Sequence, residues 1–323
     1  MKIIYHPEKL AVEKRPICLA AGFFDGLHRG HQRVLRAAIR KARALHGSAW
    51  VMTFDNHPLK ILHPPTAPLM LTSTAHKLRF FEKQGIDGCL VLRFTPAMAA
   101  LTPDEFIDFL TQQAPMLRAI FAGCTWRYGR HAAGDIATMR RRLAPKKITV
   151  TSVRPLLWRN KPVSSTRIRQ AIAAGRLTDA AVMLGRPFSI LGTVVTGRRI
   201  GRRIGFPTAN LKPHNEVRPP QGVYAVMALT HDTPCAGVLN YGQHPTADKS
   251  RSPLMELHLL DWNGNVYHDT IEVFFIARLR SERRFPSLTA LAAQIRRDTD
   301  RTRRIISGSR AKKLWKNALH HRN

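Results

Sequence analysis

The sequence predicts an α/β protein in two parts. A parallel sheet with covering helices is expected over 1–186, and a small antiparallel β-barrel with a C-terminal helix over 187–323. Apolar segments at 17–21, 49–54, 87–94 and 119–123 alternate with helical patterns at 31–45, 74–84 and 103–113, as parallel strands joined by helices do. From Phe188 the pattern changes to short alternating runs at 188–196, 223–230, 235–240, 254–261 and 271–278, punctuated by Gly, Pro, Asn and Asp. The joint between the two falls near Gly185-Arg186-Pro187.

The first element, Ile17-Cys18-Leu19-Ala20-Ala21, reads as a buried strand and runs into G-F-F-D-G-L-H-R-G-H at 22–31. A helix pattern follows from Gln32 to Ala42. A strand, a glycine-rich turn and a helix start form a natural phosphate site, because backbone N–H groups and the helix dipole both favour an anion. His28 and His31, with Gly30 between them, add donors for charge developing on phosphorus.

The second strand ends in Thr53-Phe54-Asp55-Asn56-His57-Pro58, a polar cluster expected at the C-terminal edge of the sheet, where open α/β sheets bind ligands. The strand at 119–122 leads into Gly123-Cys124-Thr125-Trp126-Arg127-Tyr128-Gly129. Its aromatics can flank a flat ring or simply pack in the core. Ser164-Ser165-Thr166-Arg167-Ile168-Arg169 opens a helix, where hydroxyls cap N–H groups and arginine forks hold phosphates.

In the second part, Gly197, Gly201 and Arg202 lie in a glycine- and arginine-rich stretch able to wrap a triphosphate. Then comes Gly205-Phe206-Pro207-Thr208-Ala209-Asn210. Thr208 and Asn210, two apart on an extended segment, point the same way and offer hard oxygen ligands suited to Mg²⁺. Glu256 stands on a strand among apolar neighbours, Trp262-Asn263-Gly264-Asn265 reads as a hairpin turn, and 287–304 reads as the final helix.

Composition narrows the function classes. The chain has 323 residues, 44% of them hydrophobic, and four widely separated cysteines that suggest neither a zinc site nor a disulfide framework. No apolar run is long enough to span a membrane, and the opening MKIIYHPEKL lacks a signal-peptide core, so a cytoplasmic protein is expected. Fifty-two Lys and Arg against 21 Asp and Glu leave a net charge of +31, which draws in polyanions at long range. These bases are dispersed, and densest in 296–323, without the aromatic interleaving of a nucleic-acid module.

Taken together, the motifs resemble the bacterial bifunctional riboflavin kinase/FMN adenylyltransferases, commonly called FAD synthetases. The resemblance rests on G-x-F-D-G-x-H-x-G-H at 22–31, T-F-D-x-H-P at 53–58 and S-S-T-x-I-R at 164–169. In the second part it rests on G-F-P-T-A-N at 205–210, G-V-Y at 222–224, G-V-L-N-x-G-x-x-P-T at 237–246, E-x-H-x-x-D at 256–261 and L-R-x-E-x-x-F at 279–285. It covers about residues 15–305.

The resemblance implies a nucleotidyltransferase-type, Rossmann-like first domain that transfers AMP from ATP to FMN, and a riboflavin kinase second domain. Gly22, Phe23, Asp25, Gly30, Ser165, Thr166 and Arg167 would then bind ATP phosphates, with His28 and His31 stabilising the transition state. His57, Thr125, Trp126 and Tyr128 would receive the flavin. In the kinase, Gly197, Gly201, Arg202, Gly205 and Pro207 would hold ATP, Thr208 and Asn210 Mg²⁺, and Glu256 would act as general base. ATP, Mg²⁺, riboflavin and FMN are the ligands implied, and apo-flavoproteins are possible acceptors of the product.

Three positions depart from the family pattern: Asn56 where proline is usual, Thr125 where Asn or Asp is usual, and His268 where glycine is usual. Trp126 and Tyr128 also replace phenylalanines. Asn56 and Thr125 motivate an alternative, a riboflavin kinase with a weakened first domain. The charge motivates another, a nucleic-acid-binding protein on the same scaffold.

Overall fold

The computed structural model describes residues 1–196, 205–242, 253–309 and 311–312. It divides into two compact units, one of Met1–Met70 with Thr74–Ser165, the other of Leu71–Ser73 with the residues from Thr166 onward.

In the first unit, six parallel strands stand in the order β1-β4-β3-β2-β5-β6. They are β1 (Lys2–Ile4), β2 (Ile17–Ala21), β3 (Ser48–Phe54), β4 (Gly88–Leu92), β5 (Leu117–Gly123) and β6 (Thr149–Val153). Strands β2 and β4 are buried at every position, as a strand covered on both faces must be. Helices α1 (Arg29–Ala44), α2 (Leu59–Leu62), α3 (Thr74–Lys83), α4 (Pro96–Ala100), α5 (Pro103–Gln113) and α6 (Ile136–Leu143) follow the strands in turn.

Two apolar clusters cover the two faces. Val34, Leu35, Ala38 and Ile39 of α1 join Phe80 and Phe81 of α3 in one, while Phe106, Ile107 and Leu110 of α5 join Met139 and Leu143 of α6 in the other. Helix α5 begins with a capping box in which the Thr102 hydroxyl accepts from Glu105 N–H and the Glu105 carboxylate accepts from Thr102 N–H. A short pair, β7 (Leu157–Trp158) and β8 (Lys161–Pro162), leads into α7 (Ser165–Ala173).

The second unit adds α8 (Leu177–Leu184) and a closed barrel of β9 (Ser189–Val195), β10 (Ala209–Pro213), β11 (Gly222–Thr230), β12 (Thr233–Gly242), β13 (Leu254–Leu259) and β14 (Thr270–Arg280), in the order β10-β13-β12-β11-β14-β9. All six pairings are antiparallel. Along β11, Val223, Ala225 and Met227 belong to apolar clusters that include Ile305 and Ile306 of α9 (Leu288–Ser307), and the alternate residues Tyr224, Val226 and Ala228 fill the barrel. Arg280 and Asp298 fix α9 to β14 through bonds of 3.0 Å from Nε and 2.8 Å from Nη2 to Oδ2.

The expected α/β class, parallel sheet, barrel and final helix are all present, with one local correction. Trp262–Asn265 does not close a hairpin, because β13 pairs with β10 and β12 while β14 pairs with β11 and β9. Its turn chemistry is spent within a crossover loop, where Trp262 Nε1 donates to Gly264 O and Tyr267 N–H donates to Asn265 Oδ1. The tight hairpin is β11–β12, joined by His231 and Asp232, both at positive φ (47° and 61°) as a type I′ turn requires.

Candidate functional sites

The loop after β2 carries the first site, and its backbone is strained. Phe24 (φ 56°) and Leu27 (φ 37°) occupy the left-handed region that side chains disfavour, on either side of Gly26 (φ 75°). The strain is held by burial, since Phe24, Asp25, Gly26 and Leu27 are all buried. The result turns the chain from the strand into α1 and sets His28 as its N-cap, with Nδ1 accepting from His31 N–H at 3.2 Å.

The two imidazoles then stack at 3.5 Å between centroids, 19° from parallel, and Phe24 meets the His31 ring edge-on at 5.3 Å. Gly30 leaves room for this stack, because a Cβ at that position would lie 3.0 Å from His28 Cε1, tighter than ordinary contact. Burial, then the neighbouring His28 and Lys77, push the His31 imidazole well below the usual histidine range. His31 is therefore neutral at pH 7, and its buried Nδ1 lacks a hydrogen-bond partner among the described residues.

Residues from two distant segments of the same unit meet that loop. Thr53, at the end of β3, donates to Phe23 O at 3.0 Å, and His57 meets the Phe23 ring edge-on at 4.8 Å. Ser165, 140 residues on from Asp25, donates to its carbonyl at 2.9 Å. Gly22 N–H donates to Met52 O, fixing the loop to β3. Thr166 and Arg167 follow Ser165 in the first turn of α7, and these two residues belong to the second unit.

The loop after β5 reaches the same sheet edge with Thr125 exposed and Trp126 half-buried. Trp126 stacks on Tyr128 at 5.1 Å, and Tyr128 packs on Phe106 in the core, where burial raises its phenol to about 12. Asn56 is exposed and donates its N–H to Asp55 Oδ1. Sequence reasoning missed Lys77, a fully buried lysine touching Phe23 and Phe54. Its spacing from Phe80 and Phe81, three and four residues on, is the signal that it shares their buried face.

The second site lies on the barrel. Antiparallel register sets Asn210 of β10 opposite Glu256 of β13, and Glu256 opposite Asn240 of β12. These three side chains share one face of the sheet. Asn210 is 8% exposed, and its Oδ1 is buried without a partner among the described residues. An orphaned acceptor of that kind is costly unless a ligand meets it. With the Thr208 hydroxyl two residues before and the Glu256 carboxylate opposite, the donor set is all oxygen and fits Mg²⁺.

His258, two residues along β13 from Glu256, hydrogen-bonds Pro207 O through Nδ1 at 2.8 Å and meets Phe206 edge-on, pinning the loop that delivers Thr208. Gly205 (φ 82°) turns the chain into that loop. A cleft of about 460 Å³ opens beside it, with Phe206 and His258 facing Arg296 and Thr299 of α9. His268 takes φ 67°, the conformation that glycine adopts freely. Gly197, Gly201 and Arg202 lie outside the described residues.

Comparison with known proteins agrees with this division. The family model described as FAD synthetase matches residues 11–167, and the one described as riboflavin kinase matches 184–306. The chain is 37% identical over 300 residues to the bifunctional riboflavin kinase/FMN adenylyltransferase of Escherichia coli (strain K12), covering 92% of this chain and 96% of that one. It is 36% identical over 317 residues to the enzyme of the same description from Bacillus subtilis (strain 168), covering 96% and 100%. A crystal structure described as a macrolide-efflux protein from Streptococcus pneumoniae superposes with a TM-score of 0.80 at 29% identity, over 93% of this chain and 98% of that one. No helix among the described residues is long and apolar enough to cross a membrane. With both family models matched in order and relatives of this identity covered almost end to end, the chain belongs to the bifunctional riboflavin kinase/FMN adenylyltransferase family.

Proposed function

We propose that this protein makes FMN from riboflavin and ATP, and then FAD from FMN and a second ATP, with residues 1–186 as the adenylyltransferase and 187–323 as the kinase. The observation that carries the reading is the pair of clusters, one at the histidine loop and one on the barrel, each built from residues that converge from distant parts of the sequence.

In the kinase, Thr208 and Asn210 are the residues to hold Mg²⁺, and the orphaned Asn210 Oδ1 supports this. The bound ion would neutralise charge on the β- and γ-phosphates. Glu256, on the same face as Asn210, takes the proton of the terminal ribityl hydroxyl as its oxygen attacks the γ-phosphorus and ADP leaves. Gly205 and Pro207 are the described residues assigned to the nucleotide, and the family resemblance gives Gly197, Gly201 and Arg202 the same role.

In the adenylyltransferase, a phosphate oxygen of FMN attacks the α-phosphorus of ATP, and pyrophosphate leaves. No protein nucleophile is needed, because the phosphate monoester is already ionised at pH 7. His28 and His31 stabilise the charge on the transferring group, and a neutral His31 serves as a hydrogen-bond donor rather than a cation. Gly22, Phe23, Asp25 and Gly30 shape the phosphate cradle, and Ser165, Thr166 and Arg167 hold the leaving phosphates. His57, Thr125 and Trp126 line the flavin side, with Tyr128 backing the Trp126 ring from the core. Catalysis here is positioning and charge stabilisation. The setting is cytoplasmic, the partners are small molecules, and apo-flavoproteins are the natural acceptors of the product.

Two variants test the assignment. His28→Ala is expected to abolish FAD formation from FMN while leaving FMN formation from riboflavin intact, and Glu256→Gln is expected to do the reverse. Loss of both activities in a folded His28→Ala protein would overturn the two-site reading.

A further inference from the structure

Lysine is almost never fully buried without a charged partner, yet Lys77 on α3 has no exposed surface. No carboxylate lies within ion-pair distance of it among the described residues; its neighbours are backbone and hydroxyl. Nζ donates to Phe54 O at 2.9 Å, approaches Phe23 O and Thr53 Oγ1 at 3.4 Å each, and lies 4.2 Å from the centroid of the Phe23 ring.

These partners are not scattered through the core. Phe23 belongs to the loop that sets His28 and His31, and Thr53 and Phe54 end the strand that delivers Asp55 and His57. Thr53 donates to the same Phe23 carbonyl, so ammonium and hydroxyl together tie the two loops at one point. An apolar side chain of similar volume would fill the space without the desolvation cost of a buried cation. The charge therefore needs a reason beyond packing.

We propose that Lys77 is a positioning residue of adenylyl transfer, which clamps the Phe23 and Phe54 carbonyls to lock the histidine loop and the Thr53–His57 segment into one cradle. The inference rests on the adenylyltransferase reading above. The charged and titratable groups facing Lys77 are Asp25 from the histidine loop, Asp55 from the end of β3, Cys89 from β4 and His31 from α1. Burial brings its ammonium down from 10.5 to about 8, against the pull of Asp25, Cys89 and Asp55. The clamp is therefore charged at pH 7 and loses that charge, and with it the strength of its bonds to the two carbonyls, as the pH rises through about 8.

The test compares wild type, Lys77→Met and Lys77→Arg in the full chain, with FMN and Mg·ATP supplied directly and riboflavin kinase activity read in the same preparations. Lys77→Met is expected to lower kcat for adenylyl transfer at pH 7 at least tenfold, with a smaller change in KM for ATP. The kcat/KM profile of the wild type is expected to decline near pH 8, and that decline should vanish in Lys77→Met. If Lys77→Met does not fold, Lys77→Arg carries the test, because a guanidinium stays protonated and should move the decline above pH 9.

Unchanged kcat in folded Lys77→Met, or a decline near pH 8 that persists in either variant, would overturn the proposal. Absence of adenylyl transfer in the wild type would instead overturn the functional reading beneath it.

Discussion

Asn210→Ala separates stability from catalysis at the kinase site. Asn210 is 8% exposed, and its Oδ1 is buried without a partner among the described residues. A buried polar group left unsatisfied costs about 1–3 kcal/mol, and Asn and Ala are both poor strand formers, so propensity adds little. Because the shorter alanine side chain also packs less well against its neighbours, the net gain falls toward the low end of that range. The variant should be more stable than wild type by about 1 kcal/mol in the absence of ligand. In a unit of this size, that raises the unfolding midpoint by roughly 2–4 °C. The same variant loses an oxygen proposed to hold Mg²⁺ and should form FMN at least a hundredfold more slowly. Scanning calorimetry without nucleotide gives the first quantity, and FMN formation under saturating Mg·ATP gives the second. A lowered midpoint, or kinase activity near that of wild type, would refute the reasoning, because each contradicts a site held at a cost to stability for its ligand.

Gly30→Ala places a Cβ 3.0 Å from His28 Cε1 and should push that ring off His31, lowering FAD formation tenfold or more while FMN formation is unchanged; equal rates would refute it. His268→Gly removes a side chain from φ 67° and should stabilise the second unit by about 0.5–1 kcal/mol, measured as a shift in denaturant midpoint. Lys77 makes stability depend on pH. Between about 8 and 10.5 the unfolded chain holds a proton that the folded chain has released, so stability rises with pH across that window. The full rise corresponds to roughly 3 kcal/mol. Cys89, raised by burial from 9.0 to about 12, acts in the opposite sense above pH 9, so the quantity to measure is the wild-type midpoint minus that of Lys77→Met.

Much of the architecture was legible because periodicity and punctuation agree. The runs at 17–21 and 49–54 lie within β2 and β3, and the run at 271–278 lies within β14. What escaped had physical reasons. Strand β1 has only three residues, and α6 carries three consecutive arginines that mask its apolar face of Ile136, Met139 and Leu143. Strand β10 was visible only as an extended pair at Thr208 and Asn210, because a loop rich in Gly and Pro precedes it. Asn263-Gly264 was misread because turn chemistry is local, whereas strand pairing is decided by the whole barrel.

At the sites, spacing alone brought His28, His31 and Gly30 together, and it set Thr208 and Asn210 on one side. The convergence of Ser165 on Asp25 is a tertiary fact that no local pattern encodes. Lys77 escaped because lysine is ordinarily read as surface, and its burial follows only from the two phenylalanines beside it on α3. His268, where glycine is usual, stands at φ 67°, a conformation open to glycine. The Thr125 departure lies on an exposed loop end, where a hydroxyl stands in place of the usual amide or carboxylate.

The central claim is that one chain carries two consecutive reactions on flavin, and the direct test is a time course of riboflavin with the purified protein and Mg·ATP, resolved by chromatography. FMN should rise first and then fall as FAD appears. FMN accumulating without FAD, or neither product forming from folded protein, would contradict the account.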